Sequence, residues 1–254
     1  MGLTVTAKKN PVALTIAGMD SSCGAGVAVD LKTFTALGVA GRCVVTAVTA
    51  QSPRAVLAVQ GTRPAMVTAQ LEAVFASPRP RVAKCGMLFS GGVVEAVADF
   101  WEGRRVPLVV DPILAASSGG ALLNAAGVRA LRRRLLPLAK VVTPNVPEAE
   151  ALTGLRIREP EEMRAAARAL HEKYGCAAVI TGGHLRGLNE AVDVLFDGRD
   201  EWLLSLPRVK GRGMHGTGCV FSAAIVAGLA KGLSLLKAVE RGKAFVTGEI
   251  CNSD

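Results

Sequence analysis

Aromatic side chains are scarce in this sequence: Phe, Trp and Tyr together make up 4% of its 254 residues. That scarcity argues against a protein that grips nucleic acid by stacking bases on exposed rings. Six cysteines are present, at positions 23, 43, 85, 176, 219 and 251, but they form no CxxC pair and no zinc-like spacing with the three histidines. No P-loop GxxxxGK[ST] occurs, which excludes the commonest phosphate-binding device. A membrane-spanning run of roughly 18 apolar residues is also lacking. The longest charge-free stretches, Pro112 to Val128 and Gly213 to Ala230, are broken by glycine, serine, proline or histidine. The opening MGLTVTAKKN is polar and has no signal-peptide core, so a reducing, cytoplasmic setting with free thiols is expected.

Half of the residues are hydrophobic and 20% are charged, which excludes a disordered chain. The formal net charge is +9, a balance suited to anionic partners such as nucleotides and phosphorylated metabolites. The basic residues are dispersed, however, and the densest run, Arg132 to Arg134, fits one solvated helical turn. Nucleic-acid binding has no motif to support it.

Short apolar runs alternate with helical patterns along the chain. Strands are expected at Val12 to Ala17, Cys43 to Ala50, Val82 to Gly86, Pro107 to Asp111, Lys140 to Thr143 and Ala177 to Thr181. Helices are expected from Asp30 to Leu37, from Pro64, from Gly92 to Glu102, from an Asn124 cap through Leu136, and over Pro160 to Tyr174. A hairpin over Val192 to Leu206 turns at Asp197-Gly198, and two helices start near Thr217 and Ser234. The pattern predicts an α/β fold, a mostly parallel sheet covered on both faces. Nothing divides the chain, so a single domain over residues 1–254 is expected, with 1–10 a loose extension. Ligands of such folds bind beyond the carboxyl ends of the strands.

Three segments lie there. GMHGTGC, Gly213 to Cys219, opens an apolar helix, where free N–H groups and the helix dipole can hold an anion. Cys219 falls in the first turn, where that potential should lower its thiol pKa. The same spacing also fits a structural glycine turn with an inert cysteine. GMDSSCGAG, Gly18 to Gly26, follows the first strand and is not a Rossmann fingerprint. The third set is acidic: Asp111 in VVDP, and Asn145, Glu148 and Glu150 in TPNVPEAE. Carboxylates and an amide at strand ends suit Mg²⁺, which keeps several waters, although Asn145 and Glu148 fit a helix cap equally well.

LTIAGMD, TAVTAQ, KCGML, VVDP, VTPNVPEAE, GGH and HGTGC, in this order, resemble the hydroxymethylpyrimidine/phosphomethylpyrimidine kinases of thiamine biosynthesis, members of the ribokinase-like superfamily. The likeness spans residues from about 12 to about 248. It implies a ribokinase-like three-layer α/β/α fold and ATP- and Mg²⁺-dependent phosphorylation of 4-amino-5-hydroxymethyl-2-methylpyrimidine and of its monophosphate. It further implies that Gln51 bonds the aminopyrimidine and that Gly18, Asp20, Ala25 and Met87 line its pocket. By the same likeness Cys219 acts on the hydroxyl, with Gly216 and Gly218 forming the anion hole. Asn145, Thr181, Gly182 and Thr217 would bind ATP, and Asp111 and Glu148 would bind the metal. A homodimer is implied too, with no nucleic-acid or membrane partner. Thr181 and Ser117 stand where the family usually has lysine, and Arg186 or Lys210 are the candidate substitutes. Pyridoxine/pyridoxal kinase is the alternative activity. The missing lysines motivate a second alternative, a catalytically weakened pyrimidine-binding protein.

Overall fold

Strand β1 (Val12–Asp20) sets the frame, because its residues alternate between two helical layers. Leu14 and Ile16 pack into one apolar cluster, whereas Ala13 packs into the other. The computed structural model describes residues 10–52, 55–76, 78–115, 120–183, 185, 189–209 and 216–251. After β1 come α1 (Gly26–Ala36), β2 (Ala40–Ser52), β3 (Ala55–Gly61), α2 (Pro64–Ala76), β4 (Val82–Cys85) and α3 (Gly91–Trp101). Then follow β5 (Leu108–Val110), α4 (Ala125–Ala130), β6 (Val141–Val142), α5 (Val146–Thr153), α6 (Pro160–Tyr174) and β7 (Ala177–Thr181). The hairpin β8 (Glu190–Phe196) and β9 (Glu201–Pro207) precedes α7 (Thr217–Ala230) and α8 (Leu235–Cys251).

The nine strands form one sheet in the order β3-β2-β1-β4-β5-β6-β7-β8-β9. Pairing is parallel from β2 to β7 and antiparallel at both edges, where β3, β8 and β9 attach. Helices α2 to α6 cover one face, and α1, α7 and α8 cover the other. The chain leaves β1 toward β2 on one side and returns through β4 on the other. The order therefore reverses between β1 and β4, and folds of this class place their ligand crevice beyond the carboxyl ends of two such strands. Among the described residues no helix is long and apolar enough to cross a membrane, and Cys23, Cys43, Cys85, Cys176, Cys219 and Cys251 are all free thiols.

Three expectations need correction. Gly18 to Asp20 belong to β1 and not to a loop, because pairing with β2 continues past an irregularity at Ala17/Met19 as far as Asp20 opposite Thr49. Strand β3 went unforeseen, since AVLAVQG lacks apolar alternation and sits half exposed at the sheet edge. The helix expected from Asn124 through Leu136 changes to a π turn at Leu131–Leu135 and a tight 3-10 turn at Leu136–Leu138. Pro137, which has no N–H to donate, sits in that last turn. The segment expected to be a loose extension lies, except for Asn10, outside the described residues.

The turn between β1 and α1 carries a local conflict. Cys23 adopts φ 55, in the left-handed region, and is exposed. Such a conformation costs a non-glycine residue about 1–2 kcal/mol. Glycine there would lose about 0.4–1 kcal/mol through its freer unfolded chain. The difference favours glycine: Cys23→Gly should raise stability by about 0.5–1 kcal/mol, read as a rise of about 1–4 °C in thermal midpoint. An unchanged or lowered midpoint contradicts the strain.

Candidate active site

The crevice is built by close backbone approaches that glycine permits. Gly216 caps the N-terminus of α7 at φ 90, and a Cβ there would stand 2.0 Å from the Gly24 carbonyl oxygen. Gly26 is equally constrained: at φ 63, its Cβ would meet the Gly18 carbonyl at 2.1 Å. Gly18 in turn faces Met87, whose sulfur would lie 3.0 Å from a Cβ at position 18. Met87 is fixed by its carbonyl, which accepts from the Thr46 hydroxyl at 2.6 Å. Ala25 packs into a small apolar cluster with Val29, Cys219 and Val220. The loop after β1, the loop after β4 and the start of α7 thus touch one another. The expected pocket residues Gly18, Ala25 and Met87 come together with Gly216 and Cys219. Thr217 begins α7, and Gly218 beside it is exposed with open space around its Cα.

Asp20 and Gln51 hold this loop from beneath. The Asp20 carboxylate accepts from the Ser22 N–H and hydroxyl, both at 2.8 Å, which makes it a cap of its own turn. Gln51 is joined to the same turn through Ser21, whose hydroxyl accepts from the Gln51 N–H at 2.9 Å. Its side-chain oxygen accepts from Thr49 at 3.2 Å.

The second group lies at the ends of β5, β6 and β7. Asp111 follows β5, and its Oδ2 accepts from the Ser222 hydroxyl at 2.8 Å, which links it to the second turn of α7. Asn145 and Glu148 form a reciprocal capping box at the start of α5. The Asn145 side chain accepts from Glu148 N–H at 2.9 Å, and the Asn145 N–H donates to Glu148 Oε2 at 3.0 Å. Asn145 also bridges to Thr181, and the Gly182 N–H donates to Asp193 Oδ1 at 3.1 Å. Asn145 and Glu148 thus cap α5, and the Glu148 carboxyl feels the Asp111 charge.

Charges join the two groups. Lys84 of β4 is wholly buried, 2.6 Å from Asp30 of α1 and 3.8 Å from Asp111. Its Nζ also donates to the Cys219 carbonyl at 3.3 Å. Burial works against the ammonium, but Asp30 first, and then Cys219 and Asp111, keep its pKa above the usual lysine value. Burial pushes the Cys219 thiol up to about 12, against the attraction of Lys84 and a hydrogen bond from Gly26. The expected low thiol pKa is thus overturned: desolvation is the largest cause, and Asp111 and Asp30 add to it. Burial also raises the Glu148 carboxyl to about 8, with the Asp111 charge as the next cause.

Two buried carboxylates thus stand together, and the Asp111 charge raises the proton affinity of Glu148. Thr143, on the neighbouring strand end, is buried, and its hydroxyl finds no hydrogen-bond partner among the described residues. That donor set fits a hard ion such as Mg²⁺, which retains waters and takes few protein ligands. No cluster of three or more metal-ligating side chains occurs among the described residues, so a closed protein cage is not what the site offers.

Lys84, Asp30, Ser222 and Thr143 escaped the reading of motifs. KCGML and DLKTF contain the first two, but their contact spans 54 positions in sequence. Another buried pair, Lys243 of α8 and Asp193 of β8, is 2.7 Å apart, and Asp193 stands opposite Thr181 in the sheet register. A cation thus enters beside Thr181 from α8. Ser117, His184, Arg186, Lys210 and His215 lie outside the described residues.

The Glu148 shift has a testable sign. Its carboxyl binds a proton more tightly folded than unfolded, so its contribution to stability is greatest below about 4.5 and is lost as pH rises toward about 8. Glu148→Gln keeps a capping acceptor but cannot ionise. The variant should show a smaller fall in thermal midpoint between about pH 5 and 8 than the parent. Mg²⁺ at pH 8 should stabilise the parent more than the variant. An identical pH dependence in the two proteins contradicts the assignment.

Comparison with known proteins identifies the family. Residues 20–253 match the phosphomethylpyrimidine kinase family. The chain is 46% identical over 246 residues to the hydroxymethylpyrimidine/phosphomethylpyrimidine kinase of Rhizobium meliloti, covering 96% of this chain and 91% of that protein. It is 46% identical over 238 residues to the thiamine biosynthesis bifunctional protein ThiED of Geobacter sulfurreducens, covering 93% of this chain but 48% of that longer protein. Among solved structures, the phosphomethylpyrimidine kinase of Clostridium difficile superposes with a TM-score of 0.84 at 36% identity, covering 95% of this chain and all of that one. The pyridoxal kinase of Staphylococcus aureus in complex with AMP-PCP and pyridoxal has a TM-score of 0.87 at 33% identity, covering 96% and 89%. The fold is accordingly ribokinase-like, three layers around a mostly parallel sheet. The chain belongs to the phosphomethylpyrimidine kinase family.

Proposed function

We propose that this kinase transfers the γ-phosphoryl group of ATP to 4-amino-5-hydroxymethyl-2-methylpyrimidine and then to its monophosphate. One observation carries the reading: the pocket residues Gly18, Ala25 and Met87 adjoin Gly216 and Cys219, while Ser222 ties the same helix to Asp111. Identity of 46% to a kinase named for these pyrimidines, against 33% to the pyridoxal kinase of Staphylococcus aureus, supports the pyrimidines over pyridoxal. It likewise favours an active kinase over a weakened binding protein.

Within this reading Gln51 bonds the aminopyrimidine, and Gly18, Asp20, Ala25 and Met87 shape its pocket. The N–H groups of Gly216 and Gly218 surround the transferred phosphoryl group. Asn145, Thr181, Gly182 and Thr217 contact the nucleotide. Asp111 and Glu148 hold Mg²⁺, which when bound neutralises charge on the phosphates. The hydroxymethyl oxygen forms a bond to phosphorus as the bond to the leaving ADP breaks. A loose transition state needs little help from a base, so the Cys219 thiol can stay protonated while it orients the hydroxyl. The hydroxyl proton leaves late, to the new phosphate or to water. Lys243 contacts Asp193, the sheet partner of Thr181, where the family usually has lysine, and through Asp193 it positions the Gly182 turn.

We further place the protein in the cytoplasm, a reading supported by its free thiols. A single domain over residues 1–254 is supported by the unbroken sheet. A homodimer is supported by apolar residues left exposed near one sheet edge, Leu57 of the edge strand β3 and Val48 of its neighbour β2. Sedimentation of purified protein as a 26.3 kDa monomer contradicts the dimer.

Purified protein with Mg²⁺-ATP should release ADP and form both the monophosphate and the diphosphate of the pyrimidine. Cys219→Ala should lower kcat by about 10²-fold or more, if orienting the hydroxyl carries the usual weight of such contacts. Failure to phosphorylate either acceptor rejects the proposal, and faster turnover of pyridoxal than of the pyrimidine reassigns the substrate.

A further inference from the structure

Three elements meet at the Lys84 ammonium. Asp30 of α1 accepts at 2.6 Å, and its other carboxylate oxygen accepts from the Thr15 hydroxyl at 2.5 Å. The Cys219 carbonyl, in the first turn of α7, accepts from the same Nζ at 3.3 Å. Asp111 Oδ2 lies 3.8 Å away. Alternation along β4 turns Ala83 and Cys85 toward α2 and α3, and turns Val82 toward α7. Lys84 shares the side of Val82, which brings it under the N-terminus of that helix.

A buried ion pair is a poor way to gain stability, since well-packed apolar residues of similar size do as well or better. Apolar residues could not, however, reach the backbone of α7 and a carboxylate at once. We propose that Lys84 is a positioning residue for phosphoryl transfer: anchored by Asp30, its ammonium ties the first turn of α7 to Asp111, so that the two ends of the site keep one separation. The proposal rests on the functional reading above, in which Cys219 and Asp111 mark those ends.

The tie acts on geometry and not on affinity. Lys84 reaches the Cys219 carbonyl and not the pocket lining, and Asn145 and Gly182 are held by bonds of their own. Misplacing reacting groups by about 1 Å costs about 10²-fold in rate. The loss should therefore fall on kcat while the KM values stay near those of the parent.

The test removes both charges of the close pair together, in Asp30→Asn/Lys84→Met, so that neither of those two partners is left buried and charged without the other. Expected are a thermal midpoint close to the parent's, a kcat lower by about 10²-fold, and KM values for pyrimidine and ATP within about threefold. A folded double variant that turns over within about threefold of the parent overturns the proposal and leaves the pair a structural one. If the double variant does not fold, the Lys84 ammonium resonance is followed by NMR in the intact protein. It should shift when Mg²⁺, AMP-PCP and the hydroxymethylpyrimidine are added together, and a resonance unmoved at saturation overturns the proposal. An inactive parent rejects the functional reading and this inference with it, whereas an active parent matched by an equally active double variant rejects this inference alone.

Discussion

A buried ammonium with more than one buried carboxylate around it is the constraint on which the rest of this structure depends. Lys84 cannot shed its charge, because Asp30 is in contact and Asp111 is near. It cannot move outward either, because it stands in the middle of a parallel strand with neighbours on both sides. Helix α1 must therefore present Asp30, and α7 must bring its first carbonyls, to one fixed point above the sheet. Those two helices are the ones whose N-termini border the crevice between β1 and β4. The position of the site follows from satisfying one charge.

The glycines answer to the same constraint. Once α1 and α7 are drawn to Lys84, the turn ahead of each is pressed against backbone, with Gly216 on Gly24 and Gly26 on Gly18. A side chain at either glycine would push the helix start away from the ammonium. The opposite wall shows the same economy of space. Phe89, at φ 67, lays its ring where a Cβ at Gly61 would come within 2.4 Å. Strain in a bulky residue two positions from Met87 is held in place by packing against the edge hairpin.

Local signals were legible in the sequence, and signals between distant elements were not. The Asn145 cap, the stop at Gly175 and the start of α7 depend on neighbours a few residues away, and the structure places each where capping chemistry puts it. The acidic strand ends were legible because strands of this class deliver their last residues to ligands. Lys84 was not. A lysine inside VAKC ordinarily suggests an exposed strand face, and nothing nearby reveals that its partner is Asp30 in another layer. The thiol of Cys219 shows the same limit from the other side. Its place at a helix N-terminus was visible, but the burial that raises its pKa comes from Val29, Val220 and their neighbours, which only the fold assembles.

Net charge misleads in the same way. The chain carries +9, yet its interior has the opposite sign. Among the described residues, Asp20, Asp30, Asp111, Glu148 and Asp193 are buried, against Lys84 and Lys243. Each ammonium takes one carboxylate as its close partner, Asp30 for Lys84 and Asp193 for Lys243. Asp111 and Glu148 are left at the strand ends with a shared repulsion that raises the proton affinity of Glu148. A carboxyl in that state holds its proton more tightly than one in water. The surface excess of lysine and arginine can draw a polyphosphate toward the crevice at long range. Inside, the work of the lysines is different: both are spent on carboxylates, and the buried charge left over is negative.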